Sequence, residues 1–122
     1  MPGASLDQTT LDRLEGAIEI DAVTPRSDGS TSSRPIWVVV VDGDAYVRSY
    51  KGESGRWYRR ARESGRAVIG GVPVAVAPID DAALDERISD AFRAKYGATS
   101  PGSTDAMVGP EVVATTLRLA PA

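Results

Sequence analysis

The stretch "RPIWVVVVDGDAYV", residues 34–47, limits the fold more than any other. An apolar run, then Asp-Gly, then a second β-prone run is the pattern of two antiparallel strands joined by a two-residue turn. Ile36 to Val41 is apolar on both faces, so it predicts a central strand covered on both sides. Six apolar residues are also far too few to span a bilayer. A second hairpin is written in "RAVIGGVPVAVA", where Gly70-Gly71 supplies the turn. Pro73 has no amide to donate, which predicts an edge strand or an unpaired position there.

The other elements follow from periodicity. Leu6, Thr10, Leu11 and Leu14 have helical spacing, with Ser5 or Asp7 as a cap and Gly16 as a stop. "AIEIDAV" alternates Ile18, Ile20 and Ala22 against Glu19 and Asp21, as a half-buried strand does. "TPRSDGSTSSRP", broken by Pro25, Gly29 and Pro35, reads as a loop. In "AYVRSY" the side chains of Tyr46, Arg48 and Tyr50 share one face of a strand. A turn, "KGESG", leads to a short helix from Arg56 to Ser64, with Ser54 as its expected cap and Gly65 as its end.

Asp80 or Asp81 then caps a longer helix with an apolar stripe of Leu84, Ile88, Ala91, Phe92 and Tyr96. The Gly-, Pro- and Ser-rich stretch 98–111 is expected to be a loop able to act as a mobile lid. "VVATTLRLA" reads as a last, β-branched strand. The order is helix-β-β-β-α-β-β-α-β. It predicts a mainly β fold with α: six antiparallel strands in a small barrel, two inserted helices and a short N-terminal helix. A length of 122 residues supports one core, divided here into an N-terminal helical segment, 1–16, and a barrel domain, 17–122.

The chain has neither cysteine nor histidine. That excludes disulfides, thiolate nucleophiles, Cys/His zinc sites, histidine-based triads and a histidine haem ligand. Nor does any calcium-loop spacing appear, and no metal is expected. The first ten residues lack a basic and an apolar segment of the secretory type, so a cytoplasmic protein is expected, with no membrane contact.

Against a net charge of −3, residues 46–66 gather Arg48, Lys51, Arg56, Arg59, Arg60, Arg62 and Arg66 around Trp57, Tyr46, Tyr50 and Tyr58. Only Glu53 and Glu63 oppose them. Arg48 and Lys51 could together meet a phosphate, aided by the start of the helix that follows; Arg48 could equally pair with Asp42 or Glu19. Trp57, one turn from Ala61, is expected to pack, and Tyr58 to face a cleft. Arg59, Arg60 and Arg62 spread around the helix and read as a solvated face. Aromatics among arginines also suit single-stranded nucleic acid, but the acidic whole and the single basic segment argue against that partner.

"RPIWVVVVDGDAYVRSYKGESGRWYRRA", "DAFRAKYG" and "TLRLAP", in this order, resemble the uncharacterised domain-of-unknown-function family 2255, within the flavin-binding split-barrel superfamily. The likeness spans about residues 17 to 121. It implies a split β-barrel that dimerises barrel to barrel, with FMN or a deazaflavin in the interface cleft. It also implies a cofactor phosphate held at Arg48, Ser49, Lys51 and Gly52, and a "WY" pair, Trp57 and Tyr58, beside the cofactor. Of the deazaflavin branch's Gly-Arg-Lys-Ser-Gly type loop, only Arg26, Ser27, Gly29 and the closing Arg34-Pro35 remain. With no histidine, the candidate catalytic proton donors are Tyr50 and Tyr58. The function expected is a homodimeric flavin- or deazaflavin-dependent oxidoreductase acting on a small organic substrate. The alternative is a cofactor-free split barrel that binds a metabolite or catalyses a rearrangement or cyclisation.

Overall fold

The computed structural model describes residues 4–122; the first three residues of the expected N-terminal segment lie outside it. In chain order the elements are α1 (Gln8–Gly16), β1 (Ile20–Pro25), β2 (Thr31–Ile36), β3 (Val39–Val41), β4 (Asp44–Val47), a 3₁₀ turn (Gly52–Ser54), α2 (Arg56–Ser64), β5 (Arg66–Ile69), β6 (Val72–Pro78), α3 (Ala82–Tyr96), α4 (Pro101–Met107), α5 (Pro110–Val113) and β7 (Leu117–Pro121). The strands form one antiparallel sheet in the order β2-β1-β5-β6-β7-β4-β3. It curls into a half-barrel of seven strands, not six.

The extra strand is β2, which lies within the stretch expected to be a loop. Its residues pair with all of β1, from Ile20 opposite Ile36 to Pro25 opposite Thr31. Most of β2 is exposed, so no apolar alternation marks it. The turn before it is built by Asp28, whose carboxylate accepts from the Ser30 amide at 2.9 Å and its hydroxyl at 2.6 Å. An Asp-Gly pair at 28–29, like that at 42–43, was therefore the legible hairpin signal here.

The run 36–41 is not a central strand. It ends β2 at Ile36, turns through Trp37 and Val38, and continues as β3, at the opposite edge of the sheet. Its apolar character has another cause. Ile36, Val38 and Val40 join one core, with Leu11 and Leu14 of α1 and Trp57 and Ala61 of α2. Trp37, Val39 and Val41 join a second core with Ile88, Phe92 and Tyr96 of α3. Alternate side chains enter two different cores, so both faces are apolar. The turn at 37–38 is held by α3. Lys95 donates from Nζ to the Val38 carbonyl at 2.7 Å and the Leu14 carbonyl at 3.1 Å. The Tyr96 hydroxyl donates to the Ile18 carbonyl at 2.7 Å, and its ring stacks on Trp37 at 3.9 Å. Burial pushes the Lys95 ammonium below its ordinary pKa and the Tyr96 phenol above it.

Both tight hairpins form as expected. Asp42 and Gly43, with φ of 51° and 81°, and Gly70 and Gly71, with 57° and 82°, give turns of type I′. Pro73 faces Val68 of β5 but lies beyond the first residue paired with β7, which is Val74, so the missing amide costs no ladder bond there. Asp7 and Asp81 cap α1 and α3. Ile18, expected to be inward, is instead 74% exposed, because β1 begins only at Ile20.

The stretch 98–111 is not a loop but carries two short helices. Pro101 and Pro110 open α4 and α5 at the position where proline fits a helix, and Thr104, Met107 and Val112 are buried. Val112 and Val113, expected in the last strand, belong to α5, and β7 begins at Leu117. Among the described residues no helix is long and apolar enough to cross a membrane.

The helical reading of 101–107 has a direct test. Gly102 is exposed in α4 with open space around its Cα. Gly102→Ala is expected to raise folding stability by about 0.5–1 kcal/mol. A urea titration showing no gain would argue that the segment is not a stable helix.

Candidate functional site

The segment 46–66 divides at Arg48. Tyr46 and Arg48 share the face of β4 that enters the second core, and both are buried. The Arg48 side chain is 0% exposed. Its Nε donates to Thr116 Oγ1 at 2.8 Å, its Nη1 to Ser89 Oγ at 2.9 Å and the Met107 carbonyl at 3.1 Å, and its Nη2 to the Asp85 carbonyl at 3.0 Å. Nη2 also stands 4.0 Å from the Asp85 carboxylate, and the guanidinium lies over the Phe92 ring at 5.3 Å. Burial pushes Arg48 down to about 10, countered by Asp85. Burial likewise raises Asp85 above the ordinary carboxylate range, countered by Arg48. The side chain thus ties the residue after β4 to α3, α4 and the residue before β7. Its charged partner is a carboxylate, though neither Asp42 nor Glu19, and four of its five N–H donors are already used. Asp42 instead pairs with Arg87.

Beyond Arg48 the chain turns outward, and a cavity of about 500 Å³ opens between the 26–35 hairpin and the start of α2. Arg26, Arg34, Lys51, Arg56 and Arg60 border it, and no acid does. Ser49 also borders it; this residue is 0% exposed and its Oγ has no hydrogen-bond partner among the described residues. A lone buried hydroxyl costs roughly 1–3 kcal/mol in lost hydration. Of the four buried side-chain oxygens without a partner among the described residues, in Thr24, Ser49, Asp85 and Thr104, that of Ser49 is the one that borders this basic cavity. Helix α2 begins here at Gly55, with no side-chain cap and no acid in its first turn. Gly55 is the cap because Ser49 Oγ occupies the space a Cβ would need. Ser54, the expected cap, instead donates to the Lys51 carbonyl at 2.8 Å. An uncapped helix start, one buried hydroxyl and five cations form an anion-binding arrangement.

A second cavity, of about 450 Å³, shares Pro35, Tyr50 and Trp57 with the first. Trp37, Met107, Ser103 and Glu19 complete most of its wall. Tyr50 is 58% exposed at the junction. Of the "WY" pair, Trp57 packs into the first core as expected, whereas Tyr58, expected at a cleft, is buried as well. Trp57 borders both cavities, whereas Tyr58 is buried, with its ring edge-on to Trp57 and its hydroxyl accepting from Arg62 Nη1 at 2.9 Å. Gly52 is buried beneath the turn, against the Glu111 carbonyl of α5. The structure therefore brings Ser49, Lys51, Tyr50 and Trp57 together, keeps the buried Arg48 at the wall of the second cavity, and buries Tyr58 behind Trp57. Arg26 and Arg34, noted only as remnants of a cofactor loop, and Arg56, noted only within the basic segment, border this site, and Trp37 was missed because its run was read as one straight strand.

A curled antiparallel half-barrel with helices filling its ends and a cleft beside its fourth strand defines the class. These are the proteins of the split-barrel, pyridoxamine-phosphate-oxidase-like fold. Solved structures with this fold include a candidate pyridoxamine 5′-phosphate oxidase from Listeria innocua, at a TM-score of 0.58 and 15% identity, covering 91% of this chain and 87% of that one. The heme storage protein HutZ from Vibrio cholerae matches at 0.67 and 11%, covering 97% and 91%. An FAD-binding protein from Mesorhizobium loti matches at 0.52 and 14%, covering 93% and 87%. At such identities these likenesses establish the fold. Residues 10–119 match the family described as uncharacterized protein conserved in bacteria, DUF2255, and the chain belongs to that family. No curated protein is detectably similar in sequence.

Two substitutions separate framework from site. Arg48→Met, which strands Asp85, Ser89 and Thr116, is expected to cost about 3–5 kcal/mol of stability, against less than about 0.5 kcal/mol for the exposed Arg59→Ala. Equal urea midpoints for the two variants would refute the bracing role. Ser49→Ala removes an unpartnered hydroxyl, so the free protein should keep or slightly exceed its wild-type midpoint; a marked fall would reveal a partner inside the protein.

Proposed function

We propose that the protein binds a flavin-type cofactor, FMN or a deazaflavin, by its phosphate and acts as an oxidoreductase on a small organic substrate, as a cytoplasmic homodimer. The observation that supports this is the adjacency of the two cavities, which share Pro35, Tyr50 and Trp57, one basic and bordered by the unpartnered Ser49 hydroxyl, the other walled by Trp37, Tyr50 and Trp57. A phosphorylated ring compound needs both compartments side by side.

In this reading Lys51 and Arg56 neutralise the phosphate, and Ser49 Oγ and the first amides of α2 donate to it. Trp57 and Trp37 flank the ring. The bound flavin supplies the hydride chemistry. Tyr50, at the junction and open to solvent, is the proton donor to the substrate; Tyr58, engaged by Arg62, shapes the wall behind Trp57. With no histidine in the chain, the likeness to a heme storage protein brings no histidine ligand with it. A second reading draws on Arg48, whose engagement with Asp85 removes a cation expected at the phosphate. The same cleft would then hold a phosphorylated aromatic metabolite without a redox cofactor.

Fluorescence titrations with FMN, FAD, a deazaflavin and riboflavin separate these readings. FMN is expected to bind with a Kd of about 10 μM or tighter, and riboflavin, which lacks the phosphate, at least about tenfold more weakly. Lys51→Ala and Arg56→Ala should each weaken FMN by about tenfold, the worth of one charge-assisted contact. If none of the phosphorylated flavins binds, the cofactor reading falls and the metabolite reading stands. Gel filtration tests the dimer.

A further inference from the structure

We infer that the ligand of the basic cleft carries two linked phosphoryl groups, a diphosphate ester, with Arg60 and Arg26 holding the second one. The inference rests on the cleft taking a phosphorylated ligand and narrows the reading above: FMN carries a single phosphoryl group, so of the flavins FAD is the one that would fill both positions, and a non-flavin diphosphate ester would fill them equally.

Arg48, Arg87, Arg93 and Arg118 each stand within salt-bridge distance of a carboxylate, from Asp85, Asp42, Asp90 and Asp44. Among the described residues, none of the five cations around the cleft forms such a pair. Arg13, Arg62 and Lys95 also lack one but are engaged by protein oxygens, and Arg59 and Arg66 do not border this cleft, so the five are the unpaired cations that share one cavity. One phosphate monoester brings at most two negative charges, and would leave most of this field unanswered. Arg56 opens α2 and Arg60 lies one turn on. A cation at a helix N-terminus opposes the macrodipole, and like charges at i and i+4 repel. Both penalties fall at one place, on residues that border one cavity.

Geometry then distributes the groups. The first phosphoryl meets the α2 start, Lys51 and the buried, unpartnered Ser49 Oγ. Arg56 and Arg60, with Cβ atoms roughly 5–6 Å apart at that spacing, can each take a different phosphoryl of one diphosphate. Beyond Arg60 the cleft continues into a neighbouring cavity of about 450 Å³ that Arg26 and Arg60 also border. Ser27 adds a hydroxyl there, the Ser64 hydroxyl being already bonded to the Arg66 backbone, and Glu63 marks its acidic limit.

Calorimetry at fixed ionic strength, with inorganic phosphate, pyrophosphate, FMN, FAD and a short oligo-dT as probes, tests this on the intact protein. Pyrophosphate is expected to bind at least about tenfold more tightly than phosphate. Arg60→Gln should abolish that advantage while leaving phosphate binding within about twofold, and Ser49→Ala should weaken both anions. The inference is overturned if pyrophosphate and phosphate bind alike, if Arg60→Gln weakens both equally, or if oligo-dT outcompetes pyrophosphate, which would make the cleft a strand-binding groove. A pyrophosphate preference without binding of FMN or FAD would remove the flavin reading and leave the diphosphate site standing. FMN binding without that preference would do the reverse.

Discussion

Two residues, Trp37 and Val38, join the outermost strands of a seven-stranded sheet. Laid flat, six strand spacings would hold those edges about 29 Å apart. The chain from Ile36 to Val39 can bridge only about 11 Å. The sheet must therefore roll until its edges nearly meet, and everything else follows from that closure. The concave side becomes one core, which α1 and α2 fill, and the face behind β3 and β4 becomes a second, which α3 to α5 cover. Lys95 and Tyr96 secure the bridging residues from α3, so the helix that covers one core also fixes the seam of the other.

Arg48 shows how that arrangement builds the site. It is the last residue of its face to be swallowed by the second core, and its four hydrogen bonds fasten the end of β4 to two helices, α3 and α4, and to Thr116, just before β7. The chain leaves this anchor in a fixed direction, and Ser49, Tyr50 and Lys51 are presented to the cleft in consequence. A buried cation of this kind contributes through the position of its neighbours more than through its own charge.

The parts of the fold that were legible in the sequence are those in which local chemistry decides the outcome. Asp42-Gly43 and Gly70-Gly71 dictate their turns, Asp7 and Asp81 their helix starts, and the stripe on α3 its buried face. What escaped depended on neighbours distant in sequence. β2 is a strand because β1 is there to pair with it, and its own Thr, Ser and Arg residues say nothing of that. The helices at 101–113 look like loop sequence, and are ordered by burying Met107 and Val112 under α3. At the site, the basic segment and its aromatic pair were recognisable as a group. Which side chains point inward depended on where the strand ends and the helix begins, and that placed Arg48 and Tyr58 inside and Trp57 at the cleft.

The alternation of Ile36, Val38 and Val40 with Trp37, Val39 and Val41 between two cores has an evolutionary consequence. Exchanging one apolar residue for another here disturbs a single packing position. Inserting or deleting one residue would send every following side chain to the opposite core, mismatching both at once. The segment can thus drift in composition while its length is frozen, whereas the solvent-exposed turn at 26–30 is free to grow or shrink. Variation in chain length among relatives should accumulate on the rim that borders the cleft, where it alters the ligand, and be excluded from the seam that closes the barrel.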